Sequence, residues 1–160
     1  METESYQTAR AHETPFAVQF SVFMPNRVGQ LLELLDALAP KDVQIVGVSV
    51  VDATDWAVVR LIFTQPDQGR ILLKTAGHSF TESEVLLVEL LSDETLREVC
   101  SHLLQGEINV HFAYPLTIRR HGNAVMAFHV DDIILARTIL LRHGLTLVGW
   151  EDLSDPGGAF

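Results

Sequence analysis

The stretch from Pro25 to Leu31, PNRVGQL, gathers the groups that could hold a small zwitterion. Asn26 offers a donor and an acceptor. Arg27 adds a cation, and Gly29 lacks the Cβ that would keep a ligand off the backbone. The stretch lies where an alternating apolar run, Phe16 to Met24, gives way to a helical one. A helix start leaves amides unpaired and carries partial positive charge, which suits a carboxylate. Two plainer roles compete. Asn26 is also a good N-cap, and Gly29 could serve a tight turn or helix–strand packing. Glycine inside a first turn is about 1 kcal/mol worse than alanine, so Gly29 needs a reason.

Other groups carry weaker signals. His129, Asp131 and Asp132 lie in FHVDD, and His111 is placed on a neighbouring strand. Alternate strand residues share a face, so His129 and Asp131 could reach one divalent ion, although Asp131 and Asp132 also read as helix caps. The basic cluster IRRHGN, Ile118 to Asn123, reads as a solvated hairpin tip. Glu82 and Glu84 share one face of a strand and read as its wet side. Trp56 and Trp150 read as core or interface residues. Cys100, the single cysteine, falls on the apolar side of a helix and reads as core. One cysteine allows no intrachain disulfide, which fits a reducing compartment. There is no serine–histidine–aspartate motif, phosphate-binding glycine loop or GxGxxG, so the expectation is a protein that is not an enzyme and uses no cofactor or resident metal.

These groups must be positioned by a chain of 160 residues that is 48% apolar, with a formal charge of −10. That apolar fraction supports a real core. The negative charge argues against nucleic acid and anionic membrane surfaces as partners. The N-terminal residues are polar without a secretory apolar region, and no apolar run reaches the length of about 18 residues that spans a membrane. The expected location is cytoplasmic.

Periodicity predicts a strand over 16–24 and a helix over 28–39, with Val28, Leu31, Leu32, Leu35 and Leu38 on one face and Pro40 as its stop. Strands over 43–52 and 56–64 follow as a hairpin, then a helix over 66–76 capped by Gly77. The order then repeats: VLLVELL as a strand, a helix from Asp93 to Leu104 closed by Gly106, strands INVHFAYPLTI and AVMAFHVD around HGN, a helix to His143 closed by Gly144, and LTLVGWEDL as the last strand. A shift of 65 residues places Leu31 on Leu96 and Val43 on Ile108; after a two-residue insertion the shift is 67, placing Ala57 on Ala124 and Gly77 on Gly144. Matching element order and caps make this an internal duplication. Each copy is βαββαβ, so the fold class is α+β: two tandem ferredoxin-like units, antiparallel sheets with helices on one face. The expected organisation is a disordered tail over 1–14, unit one over 15–84, unit two over 85–153 and a loose tail over 154–160. No Gly or Pro interrupts Ser79 to Leu91, so the last strand of unit one should run directly into the first of unit two.

NRVGQL after strand one and GEINV opening strand two of the second copy resemble the turn and strand motifs of ACT domains, regulatory modules that bind amino acids. The resemblance spans Phe16 to about Leu153. It implies a ligand-binding site between units, made of Asn26, Arg27, Val28, Gly29 and Gln30 with Asn109 as the second-strand asparagine. Val28 replaces the family's proline, Met24 replaces a histidine of serine-binding members, and Gln44 replaces asparagine in copy one. The second turn, LLSDET, has no glycine. The implied function is a non-catalytic regulatory or sensory module for a small amino acid, expected to form a homodimer. The alternatives are a regulatory small subunit of an amino-acid biosynthetic enzyme such as acetolactate synthase, a ligand-free dimerisation scaffold, and a histidine-based metal-binding module.

Overall fold

The computed structural model describes residues 16–39 and 43–153. The expected tails and Pro40 lie outside the described residues. The elements are β1 (Ala17–Pro25), α1 (Gln30–Leu38), β2 (Ile45–Asp52), β3 (Trp56–Phe63), α2 (Pro66–Thr75), β4 (Ser79–Leu90), α3 (Asp93–Gln105), β5 (Val110–Arg120), β6 (Asn123–Val130), α4 (Ile133–Arg142) and β7 (Leu147–Val148), followed by a 3-10 turn, Trp150–Leu153.

The fold is mixed α/β with an antiparallel sheet. Its centre is β4, a 12-residue strand. The first part of β4, up to Val85, pairs with β1; the second part, from Leu86, pairs with β6. The expected fused strand is therefore present. β1 continues to β3 and β2, while β6 continues to β5. The expectation of two antiparallel sheets needs correction here. Gly47 on β2 pairs with Leu116 on β5, so the order β1-β3-β2-β5-β6-β4 returns to β1 and forms a closed ring, with β7 attached to β4. Closure removes exposed edges where those strands pair.

Period-two alternation sends opposite faces of each strand to different cores. On one outer side, Phe20, Val22, Val59, Leu61 and Phe63 pack under Leu34, Leu38 and Leu73 of α1 and α2. On the other, Leu86, Val88 and Phe128 pack under Val99, Leu103, Ala136 and Leu140 of α3 and α4. Inside the ring, Ala17, Ile62, Val85, Leu87, Leu116, Val125 and Val148 form a third core. Phe20 lies 5.3 Å from Phe63 and 5.7 Å from Phe80 in tilted and edge-on contacts. Each fully buried side chain of this size stabilises the fold by about 1.5–3 kcal/mol.

Several local expectations change. Helix α1 buries Leu34 and Leu38, leaving Val28, Leu31 and Leu32 exposed. Its leucines, at 31, 32, 34, 35 and 38, spread over nearly half of the helix circumference and the buried pair lies at one edge of that arc, so periodicity alone could not choose the face. Cys100 is exposed, one position beyond the buried Val99. Helix α3 starts at a Ser92–Thr95 box rather than at an Asp93 cap: Ser92 N–H donates to Thr95 Oγ1 at 3.2 Å. At its end the left-handed residue is Glu107, φ 55°, not Gly106. Gly106 serves close packing instead, because a Cβ there would stand 2.5 Å from Ile139 Cδ1. Gly77 and Gly144 do take left-handed φ, 77° and 75°. The last strand is only Leu147–Val148. Gly149 N–H donates to Asp152 Oδ2 at 3.0 Å, a local turn bond that competes with the ladder. Trp56 is exposed, while Trp150 packs against the ring core.

Candidate functional site

The end of β1 and the start of α1 form a polar turn tied to the β2–β3 hairpin. The Asn26 side-chain amide donates to the Asp52 carboxylate and, at 3.1 Å, to Ala53 O; its backbone N–H donates to Asp55 O at 3.1 Å. Asn26 thus ties the turn to the hairpin and does not cap α1. Arg27 pairs with Glu33 at 3.1 Å. Gly29 occupies the N-cap position with φ 85°, and no side chain caps the helix. The left-handed backbone explains the glycine locally. A Cβ on Gly29 would meet nothing within 4 Å, so the space above it is open. Gln30 donates to Glu33 at 3.4 Å, while its Oε1 is buried without a donor. Helix α2 also starts without a side-chain cap, at Gln65, but with Pro66 in its first turn; α3 has the Ser92–Thr95 box, and Asp132 Oδ1 accepts from Leu135 N–H at 3.0 Å to cap α4.

Asn109 precedes β5. Its backbone N–H donates to Asp131 Oδ1 and its carbonyl accepts from Asp131 N–H, both at 3.2 Å. No hydrogen bond joins Asn109 to Asn26, Arg27, Val28, Gly29 or Gln30 among the described residues. The strand register nevertheless places both at the same end of the ring. Pro25 lies opposite Trp56, Ala57 opposite Asp52, and Val110 opposite Val130.

Inside that end lies a group that the sequence alone does not mark. The Arg60 guanidinium stands 3.8 Å from the centre of the Phe112 ring, and the His129 ring stacks on Phe112 at 4.7 Å. His111 lies 5.3 Å from His129. Burial, then the neighbouring His111 and Arg60, hold His129 below its ordinary pKa. Tyr114 donates to Gln19 Oε1 at 2.7 Å, and Gln19 Nε2 donates to Ser21 and Ser83 at 3.3 Å each. Burial pushes the Tyr114 phenol well above its usual range, keeping the proton that this bond uses. The sequence signal for Arg60 was a lone cation in the apolar run WAVVRLIF; its inward direction needed the register.

The metal alternative finds its acids occupied. Asp131 binds Asn109, Asp132 caps α4, and no group of three or more potential ligands forms among the described residues. The IRRHGN hairpin is more than a solvated tip. His121 lies 3.3 Å and Asn123 2.9 Å from Glu89, which is 2% exposed, and Arg120 lies 3.9 Å away. A cavity of about 400 Å³ adjoins this hairpin at the second turn, lined by residues including Ser92, Asp93, Arg119 and Asn123. Glu82 is not simply wet: it pairs with Arg70 at 2.5 Å, and that bond holds its carboxyl below the usual range.

A family profile described as an ACT domain pair matches residues 16–156, and the chain belongs to that family. The structure is similar to protein BT0572 from Bacteroides thetaiotaomicron, with a TM-score of 0.79 at 19% identity over 88% of this chain and 96% of that one. It is also similar to the regulatory subunit of aspartate kinase from Thermus thermophilus in its ligand-free form, with a TM-score of 0.53 at 10% identity over 81% of this chain and 91% of that one. These likenesses show a shared fold. No curated protein matches the sequence. No helix among the described residues is long and apolar enough to cross a membrane.

Proposed function

We propose that the chain is a non-catalytic regulatory module that binds a small amino acid at the first turn. The observation carrying this reading is the start of α1: an uncapped helix N-terminus at Gly29 beside Gln30, whose Oε1 is buried without a donor. The ligand's carboxylate meets the first amides of α1 across the open space at Gly29. Its ammonium supplies the donor that Gln30 Oε1 lacks and is attracted by Asp52. Asn109, at the same end of the ring, is the second wall, supplied within the chain or by a second copy. Membership of the ACT domain pair family supports the regulatory reading.

In this reading residues 15–84 and 85–153 are two ferredoxin-like units sharing β4. Beyond the Gly47–Leu116 rung, β2 exposes Val48, Val50 and Val51, and this edge is the homodimer contact. The proposed location is cytoplasmic. Effector control follows by linkage: a ligand bridging two units favours the arrangement in which both touch it. A thermal-shift panel of the twenty amino acids tests the proposal. A ligand at 100 times its Kd adds about 2.7 kcal/mol of stability. One or a few small amino acids should raise the midpoint; no response at millimolar concentration contradicts the proposal.

The structural likeness to an aspartate kinase regulatory subunit favours a second reading, a regulatory subunit of an amino-acid biosynthetic enzyme. Co-purification of a large catalytic partner with the tagged chain from its native host would support this assignment.

A further inference from the structure

We infer that the inner face of the ring, where Arg60 lies on Phe112 beside Ser21, Ser83 and His129, is a second binding site, specific for a small organic carboxylate and separate from the first turn.

The inference starts from an unmatched charge. The chain carries a net charge of −10, yet no carboxylate pairs with Arg60 among the described residues. Its Nε is buried with no acceptor. A buried, unmatched donor on a charged group is costly. Arg27 takes Glu33 and Arg70 takes Asp67 and Glu82, whereas Arg137 Nε is, like Arg60 Nε, buried without an acceptor; what sets Arg60 apart is the set of donors around it.

The neighbours point the same way. Ser21 and Ser49 are both opposite Arg60 in the ladders, so their side chains share its face. Ser21 and Ser83 each accept a hydrogen bond from Gln19 Nε2, which leaves their own hydroxyl protons free to donate. The chain of bonds from Tyr114 through Gln19 therefore presents donors at its far end. His129 Nδ1 is buried without a partner and adds a further donor in its Nδ1–H tautomer. Glu82 and Glu84 lie opposite Phe20 and Val18, on the other face of the sheet. The result is a surface of donors without a matching acceptor.

Carboxylate is the chemistry that fits. One guanidinium presents a planar fork that matches a carboxylate in two parallel bonds. The second cationic candidate, His129, is biased toward its neutral form, so the site lacks the charge that would favour a phosphate dianion. The Phe112 ring offers an apolar surface to the rest of the ligand.

The test is an NMR titration of the full chain with propionate, which carries a carboxylate and no ammonium. The Arg60 Nε–H and His129 ring resonances should shift saturably in the millimolar range. Arg60→Gln should weaken binding by about tenfold or more, as expected for loss of a charged hydrogen bond. Gly29→Ala should leave it unchanged, which separates this site from the first turn. A drift that does not saturate, an equal shift with chloride, or unchanged affinity in Arg60→Gln overturns the inference. If Arg60→Gln does not fold, the double variant Ser21→Ala, Ser83→Ala replaces it: weakened propionate binding supports the site, and unchanged binding overturns it.

Discussion

Gly47 stands opposite Leu116 in the rung that joins β2 to β5 and closes the ring. The approach is tight: a Cβ on Gly47 would lie 2.9 Å from Leu116 Cδ2 and 3.1 Å from Ile62 Cβ. The Leu116 methyl can swing aside, but Ile62 Cβ is fixed to its backbone. Gly47→Val should therefore destabilise the protein by about 1–3 kcal/mol, the usual range for overpacking. Urea unfolding with an unchanged midpoint would show that the ring closes less tightly than this geometry requires.

Gly69 sets two effects against each other. Alanine in mid-helix favours α2 by about 1 kcal/mol. A Cβ there would also stand 2.2 Å from Phe63 Cδ2, and Phe63 is 1% exposed with Phe20 beside it. The clash should win, giving a net loss for Gly69→Ala in thermal or urea unfolding. A net gain would mean that the ring can move aside.

These two glycines also mark what a sequence can disclose. The uninterrupted run from Ser79 to Leu91 disclosed the shared strand, because nothing in it could break a ladder. The caps at Gly77 and Gly144 were legible because each follows a periodic helix. Ring closure was not, since it depends on how β2 and β5 approach through Gly47 and Leu116. The buried face of α1 was hidden because its leucines spread over a wider arc than the two that are buried. Cys100 and Val99 show how one residue of helical phase exchanges core for surface. At the candidate site the motif from Asn26 to Gln30 was visible, but Asn26's use by Asp52 and the left-handed φ of Gly29 were not. Arg60 is not legible as a site from the sequence because its significance lies in what its neighbours fail to offer.

Tyr114 and Gln19 form a buried pair at 2.7 Å, linking β5 to β1 across the ring. Tyr114→Phe keeps the ring's shape but leaves Gln19 Oε1 without its donor. The expected loss is about 1–3 kcal/mol. A neutral result in urea unfolding would show that water or another group replaces the phenol.

His129 should make stability depend on pH. Its folded pKa is lowered, by burial first and then by His111 and Arg60. The unfolded chain therefore binds the proton more readily, near the ordinary value of about 6.5. The contribution is fully present above that value and is lost as pH falls below it toward the folded pKa. Stability should rise with pH across this window, and His129→Gln should flatten that part of the profile relative to wild type. An identical profile in the variant would contradict the assignment.

The first turn offers a matched comparison. Gly29 and Gly77 both have left-handed φ, 85° and 77°, and a Cβ on either would enter open space. Alanine at either position should carry a similar backbone cost of about 1–2 kcal/mol. Only Gly29 adjoins the uncapped start of α1. The most direct measurement is the thermal shift produced by the responding amino acid in wild type, Gly29→Ala and Gly77→Ala. The proposed site predicts a shift in wild type and Gly77→Ala that is lost in Gly29→Ala. A shift that persists in Gly29→Ala, or is absent from wild type with every amino acid, would contradict amino-acid binding at this turn.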